Sequence, residues 1–235
     1  LKTNPATIQT IIIIAKALGE LNDKAVFVGG ATIPFYLPEI YQTLVRPTED
    51  VDVVMEIVGK SSNYANEELL RQKGFLHDSS KGAPLCRWLY RNLKVDIMSS
   101  NISALDFTNI WYQEGIENSI EIMKTPVSVK IFTAPYFIAT KLEAFKSRGN
   151  LDYVASADME DIISILEVST QEIFEDMLPL ATVKLREYII AEFSFLLKKN
   201  EFQDALQGAI LNRVNSDESV KIINNRIKKL IGTNL

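Results

Sequence analysis

Cysteine and histidine are nearly missing from this 235-residue sequence, which has one of each, and no apolar run is long enough to cross a bilayer. A single cysteine, Cys86, excludes an internal disulfide framework, and nothing resembles a secretory signal, so a reducing cytoplasm is the expected compartment. A single histidine, His77, excludes a histidine-based zinc site; followed by Asp78 in a polar stretch, it reads as an exposed loop residue. The strongest apolar run, Ile11 to Ala15, falls far short of the roughly 20 residues a membrane helix needs, so no membrane partner is expected. Positive charge is also not in excess. Lys and Arg number 25 against 30 Asp and Glu, a formal charge of -5, and any RNA contact must therefore be local. There is no internal repeat, low-complexity tract or long polar linker. What is present is apolar material, 47% of the residues, enough to build the core of one large domain or two small ones.

The pattern of that material predicts the elements. Asn4 and Pro5 supply a cap and a first-turn proline for a helix over Ile8 to Leu18, ending near Gly19. Ala25 to Val28 reads as a buried strand stopped by Gly29 and Gly30, with a short helix after it. Around Asp50 the residues alternate, so a strand would carry Asp50 and Asp52 on one face and Val51, Val53 and Met55 on the other. Glu67 to Lys73 is helical up to Gly74. Cys86 to Tyr90 and Leu93 to Met98 then flank an Arg91-Asn92 turn as a hairpin. In its second arm Val95 and Ile97 oppose Lys94, Asp96 and Met98, which puts a third aspartate on a strand face. From Pro135 the period is helical, over Tyr136 to Lys146, Asp158 to Glu167, Phe174 to Met177, Val183 to Lys198 and Val220 to Ile231. Residues 1–134 are thus expected to form a core and residues 135–235 a helical region, with Gly149 to Ala155 the most loop-like stretch of the latter.

Three features point to phosphate chemistry. Asp50 and Asp52, about 6.5 to 7 Å apart along a strand, suit Mg2+ or Mn2+, hard cations that take oxygen ligands from one or two carboxylates plus substrate phosphates. Gly29 and Gly30, lacking side chains, would let backbone N–H groups approach a triphosphate. Asp96 could join the metal site or take a proton from an acceptor hydroxyl, its alternative being an ion pair with Lys94 or Arg91. An Asp-x-Asp pair alone is common at strand edges and turns; the combination is what carries weight. Arg46-Pro47-Thr48-Glu49 leads into Asp50 and either aims Arg46 at phosphate or fixes the strand. Lys141, Phe145 and Arg148 share one helix face, which invites an anion or a salt bridge to aspartates. Asp158 and Asp161 share a stripe with Ile162 and Ile165, which turns the carboxylates inward toward Lys141 or Arg148 as partner, the alternative for Asp158 being a first-turn charge after Ser156 that complements the helix dipole. Trp88, Trp111 and Tyr112 read as core residues before base-stacking ones, and Cys86 as a small buried hydrophobe. Lys198, Lys199, Arg226, Lys228 and Lys229 read as solvated helix faces before an RNA surface.

Together, Val28-Gly29-Gly30, Arg46-Pro47-Thr48-Glu49-Asp50-Val51-Asp52 and Val95-Asp96-Ile97-Met98 resemble the three-motif core of the polymerase-beta-like nucleotidyltransferases. The Arg-x-Thr-x-Asp-x-Asp form, the Lys141-Leu142-Glu143-Ala144 to Arg148 segment, Asp152-Tyr153 and Asp158-Met159-Glu160-Asp161-Ile162 look like the AbiEii-type branch known from type IV toxin–antitoxin systems. The resemblance covers residues 25 to 166 and implies an α+β fold, a small mixed sheet with flanking helices, followed by a C-terminal helical bundle. It implies that Gly29, Gly30, Arg46, Thr48, Lys141 and Arg148 bind the nucleotide, that Asp50, Asp52 and Asp96 bind metal, and that Lys141 and Asp158 complete the catalytic set. The interval of twenty residues from Gly30 to Asp50 is longer than in compact members. The implied activity is metal-dependent transfer of a nucleoside monophosphate from an NTP to a hydroxyl of RNA, protein or a small molecule, with an antitoxin as a partner. Two other readings stay open: a nucleotide-binding or interaction module without turnover, and a glycosyltransferase using its Asp-x-Asp.

Overall fold

The alternation around Asp50 belongs to the middle strand of a mixed sheet in a computed structural model of the chain. The structure describes residues 8–56, 60–100, 109–123, 125–148, 152–168, 177–211 and 215–232. Asn4 and Pro5, residues 149–151 of the loop-like stretch, and residues 174–176 of the helix expected to end at Met177 lie outside the described residues. In chain order the strands are β1 (Ala25–Val28), β2 (Asp50–Met55), β3 (Phe75–His77), β4 (Arg87–Tyr90), β5 (Leu93–Ser99), β6 (Ile120–Glu121) and β7 (Lys130–Ile131). The helices are α1 (Ile8–Leu18), α2 (Lys60–Gln72), α3 (Tyr112–Glu117), α4 (Ala134–Arg148), α5 (Ala157–Val168), α6 (Leu178–Leu180), α7 (Val183–Leu196), α8 (Asn200–Ala209) and α9 (Ser216–Gly232). The fold is α+β.

Two compact units divide the chain. One holds residues 1–35 and 46–133; the other holds residues 36–45 and 134–235. The first carries the sheet, ordered β3-β4-β5-β2-β1-β7-β6 among the described residues. β2 pairs antiparallel with β1 and parallel with β5, so one strand joins the glycine turn after β1 to the aspartate of β5. β1 is buried at all four positions, as its unbroken Ala-Val-Phe-Val run requires, and burying side chains such as Phe27 and Val28 contributes about 1.5–3 kcal/mol each. β2 and β5 bury Val51, Val53, Val95 and Ile97 and leave Asp50 and Asp52 part-exposed. The β4–β5 hairpin turns at Arg91-Asn92, with Arg91 in the left-handed region at φ 55°.

His77 is exposed, as expected, but lies in a strand and not in a loop. It ends β3, paired opposite Trp88 of β4, with ring centroids 4.8 Å apart. Three residues, with Phe75 alone buried, leave too short a period to separate from a polar loop, and pairing with β4 is what makes the segment a strand.

In the second unit α4 is buried almost continuously from Ala134 to Leu142, as befits a helix that is apolar nearly all round. α5 packs along it, and α7, α8 and α9 complete the bundle. The Thr182 side chain accepts from the Leu185 N–H at 3.3 Å and caps α7. Arg226, grouped above with solvated cations, donates instead to the carbonyls of Leu166 and Glu167 at 2.6 and 2.7 Å, satisfying the end of α5. Among the described residues no helix is long and apolar enough to cross a membrane.

Candidate active site

Parallel pairing of β2 with β5 sets Asp52 opposite Asp96 and Asp50 opposite Lys94, so the three aspartates share one face of the sheet. On the other side of β2, Asp52 stands opposite Val28, the last residue before the glycine turn. Gly29 has φ +72°, and a Cβ built on it would lie 1.9 Å from Asp52 Oδ2 and 2.8 Å from Asp52 Cγ. Only glycine combines that backbone with that approach, so the carboxylate of Asp52 rests against bare main chain. The Gly29 carbonyl accepts from the Thr32 N–H at 3.1 Å and the Thr32 hydroxyl at 2.8 Å, which fixes the turn. Gly30 is buried and opens a 3-10 segment, Gly30–Tyr36, with Pro34 inside it. That is the short helix expected here, but at two turns its end offers little of a helix dipole.

The partner of Asp96 is neither Lys94 nor Arg91. Arg87 of β4, paired directly across from Asp96, donates Nε to Oδ1 at 2.7 Å and Nη2 to Oδ2 at 2.8 Å, a bidentate bond. The same Nη2 donates to Asp50 Oδ2 at 2.7 Å. Lys94 turns outward to Glu49 at 2.9 Å. The Arg87 side chain is only 16% exposed and that of Asp96 11%, so these charges meet with limited screening. The bonds to Asp96 chiefly, opposed by burial and then aided by the charges of Asp96 and Asp50, push the guanidinium further up from its already high range. Sequence reading missed Arg87 because the antiparallel register of β4 on β5, not spacing along the chain, brings it to Asp96.

Of the residues flanking β2, Thr48 is buried and its hydroxyl donates to the Asp50 carbonyl at 3.3 Å, holding the approach to the strand. Arg46 precedes it, part-exposed and engaged in an interaction of its own. Cys86 stands just before β4 and is half-buried; its carbonyl accepts from the Ile97 N–H at 2.8 Å. Trp88 is buried on the sheet, and Trp111 is buried as well. Neither is free to stack a base.

Lys141, Arg148 and Asp158 belong to the second unit, where they have one another as partners. Lys141 Nζ lies 2.9 Å from Asp158 Oδ1 and 2.6 Å from Asp161 Oδ2, all three nearly excluded from solvent. Arg148, largely exposed, reaches in to Asp158 through Nε and Nη2 at 3.1 Å each. Burial lowers the Lys141 pKa most, but the charges of Asp161 and Asp158 outweigh it and leave the ammonium above its usual range. Burial likewise pushes Asp158 up, and the Lys141 charge and the Arg148 bond overcome it, so the net shift is downward.

A divalent cation fits the first unit's donors as a pair. Asp50 and Asp52 are hard oxygen donors on one strand face, beside main chain that a Cβ would have blocked, and two carboxylates plus phosphates suffice for Mg2+. A cage of three is not formed. Among the described residues no three His, Cys, Asp or Glu side chains are grouped as metal ligands, and Arg87 stands on Asp50 and Asp96 instead.

No family model and no curated protein matches the chain. Among solved structures it is similar to an antigenic nucleotidyltransferase-like protein from Paracoccidioides brasiliensis, 18% identical, with 91% of each chain covered and a TM-score of 0.48. It is also similar to JHP933 from Helicobacter pylori, 12% identical, covering 94% of this chain and 90% of that one, with a TM-score of 0.47. At such identities and scores, function has to be argued from the site.

Proposed function

We propose that the chain is a nucleotidyltransferase that moves a nucleoside monophosphate from an NTP to an acceptor hydroxyl. The observation that carries the reading is the strand face on which Asp50, Asp52 and Asp96 lie beside the side-chain-free turn at Gly29. Asp50 and Asp52 would hold Mg2+ or Mn2+, which supplies charge neutralisation at the phosphates and acidifies a bound hydroxyl. Gly29 gives the Asp52 carboxylate room against the main chain, and Asp52, held at that turn, would orient the α-phosphate through the metal. Asp96, anchored by Arg87 yet with a lone pair left on each oxygen, orients the acceptor hydroxyl and receives its proton. The acceptor oxygen bonds to the α-phosphorus, the α–β anhydride bond breaks, and pyrophosphate leaves. Within this reading we take the branch to be AbiEii-type, a toxin component with a cognate antitoxin, acting on RNA, protein or a small molecule.

One observation favours a second reading, a nucleotide-binding module without turnover: Arg87 occupies oxygens of two of the three carboxylates. Transfer of α-labelled NTPs to total RNA and to protein, with Mg2+ or Mn2+, separates the two. Label that falls by orders of magnitude in Asp50→Ala plus Asp52→Ala is the expected result. Intact nucleotide binding with no label on any acceptor would shift the assignment to the binding module.

A further inference from the structure

Arg87 bridges the aspartates of β2 and β5, and its three bonds are not equivalent. Asp96 is gripped by two donors, Nε and Nη2, from the residue paired with it across β4 and β5. Asp50 is held by Nη2 alone, which it shares with Asp96, and it is the more exposed carboxylate, 33% against 11%. Metal coordination needs oxygen lone pairs and suffers from an adjacent positive charge, so a guanidinium on Asp50 and a divalent cation on Asp50 oppose each other. We infer that Arg87 is a positioning residue that closes the resting site as a tethered counter-cation. On this view a metal–nucleotide complex displaces it from Asp50 while its bidentate grip on Asp96 persists. The inference rests on the nucleotidyltransferase reading given above.

Its consequences separate from those of that reading. With Arg87 in place, the free protein binds metal poorly, and nucleotide phosphates supply the missing ligands. The loss of Arg87 takes its positive charge off Asp50 and Asp96, with Asp52 beside them on the same face, and leaves a stronger site for Mn2+ alone. The test is Mn2+ binding, read from the electron paramagnetic resonance of the free ion, for the full chain and for Arg87→Gln, Arg87→Lys and Arg87→Gln with Asp50→Asn. The expected result is Mn2+ affinity raised at least ten-fold in Arg87→Gln, less in Arg87→Lys, and returned to the starting value by Asp50→Asn. Equal Mn2+ affinity in the unaltered chain and Arg87→Gln, abolished in both by Asp52→Asn, would overturn the inference and leave the metal-dependent reading standing. No Mn2+ binding to either, with or without a mixture of the four NTPs, would overturn both. Should Arg87→Gln fail to fold, the unaltered protein decides. Displacement from Asp50 requires the Arg87 Nη2–H resonances to shift when Mg2+ and NTPs are added together, and unmoved resonances at saturation overturn the inference.

Discussion

A methyl group added at Gly29 would meet Asp52 Oδ2 at 1.9 Å, Cγ at 2.8 Å and Cβ at 3.0 Å, on a backbone whose φ of +72° already disfavours a side chain. The carboxylate must therefore swing away or the turn must open. Gly29→Ala should cost about 1–3 kcal/mol of stability through backbone strain, while lowering nucleotide transfer by more than ten-fold. Urea denaturation and the labelled-transfer assay measure the two effects separately, and near-normal transfer in a folded variant would remove the turn from the site. Cys86 offers a second single-residue readout. Burial, and then the charge of Asp96, push its thiol up to about 11, with Asp52 adding to the effect. A raised thiol pKa means the neutral form persists through pH 8, where only about one molecule in a thousand would carry the thiolate. Alkylation by iodoacetamide should accordingly be slow at pH 8 and climb through pH 11, and Asp96→Asn should quicken it. A plateau near pH 8.5, as for an ordinary cysteine, would contradict the coupling.

At the level of elements, α4 and α5 are joined by a charge cluster that the apolar packing around it cannot replace when it is cut in half. Lys141→Met takes from the buried Asp158 and Asp161 the cation they share and leaves Arg148 on Asp158. Breaking a buried pair on one side destabilises by about 3–5 kcal/mol. The pH dependence has a definite sign. Asp158 is depressed in the folded chain, so its contribution is present above the unfolded value of about 3.9 and is lost as pH falls through the lower folded one. Lys141 is raised, so its contribution is present below about 10.4 and is lost as pH rises through the higher folded value. The difference between Lys141→Met and the unaltered chain, from urea titrations, should be largest near neutral pH and shrink in acid, where the two buried carboxylates of the variant protonate. A difference that grew in acid would refute this account. The cluster was legible in sequence, because i, i+3 and i, i+4 spacing decides which helical side chains share a face, and so was the alternation of β2 and β5. β6 and β7, two residues each, were not: Ile120–Glu121 and Lys130–Ile131 are strands only because each has the other as a partner. Arg87 escaped for the same reason, since strand register is a tertiary property that no local period encodes.

For the molecule as a whole, the long interval between Gly30 and Asp50 acquires a physical meaning. The chain leaves the sheet-bearing unit after Phe35, contributes residues 36–45 to the helical unit, and returns at Arg46. Tyr36 packs on Phe137 of α4 with ring centroids 5.1 Å apart, and Leu37 is buried. A division of the chain into two sequential segments at residue 134, the natural reading of where helical periodicity begins, would thus strip the helical unit of a segment and leave it stranded on the other. Residues 8–133 taken whole should expose Tyr36 and Leu37 and self-associate, an apolar patch having lost its cover. The same residues with 36–45 exchanged for a Gly/Ser linker of equal length keep the reach of the connection without the patch. This second form should be monomeric by light scattering, show dispersed amide resonances and unfold in one cooperative step. It should also retain the Arg87 bonds to Asp50 and Asp96, since every one of those residues lies in the sheet-bearing unit. Should the linker form be unfolded while the full chain is folded, the sheet would depend on the helical unit for its stability, and the two could not be treated as separate folding units.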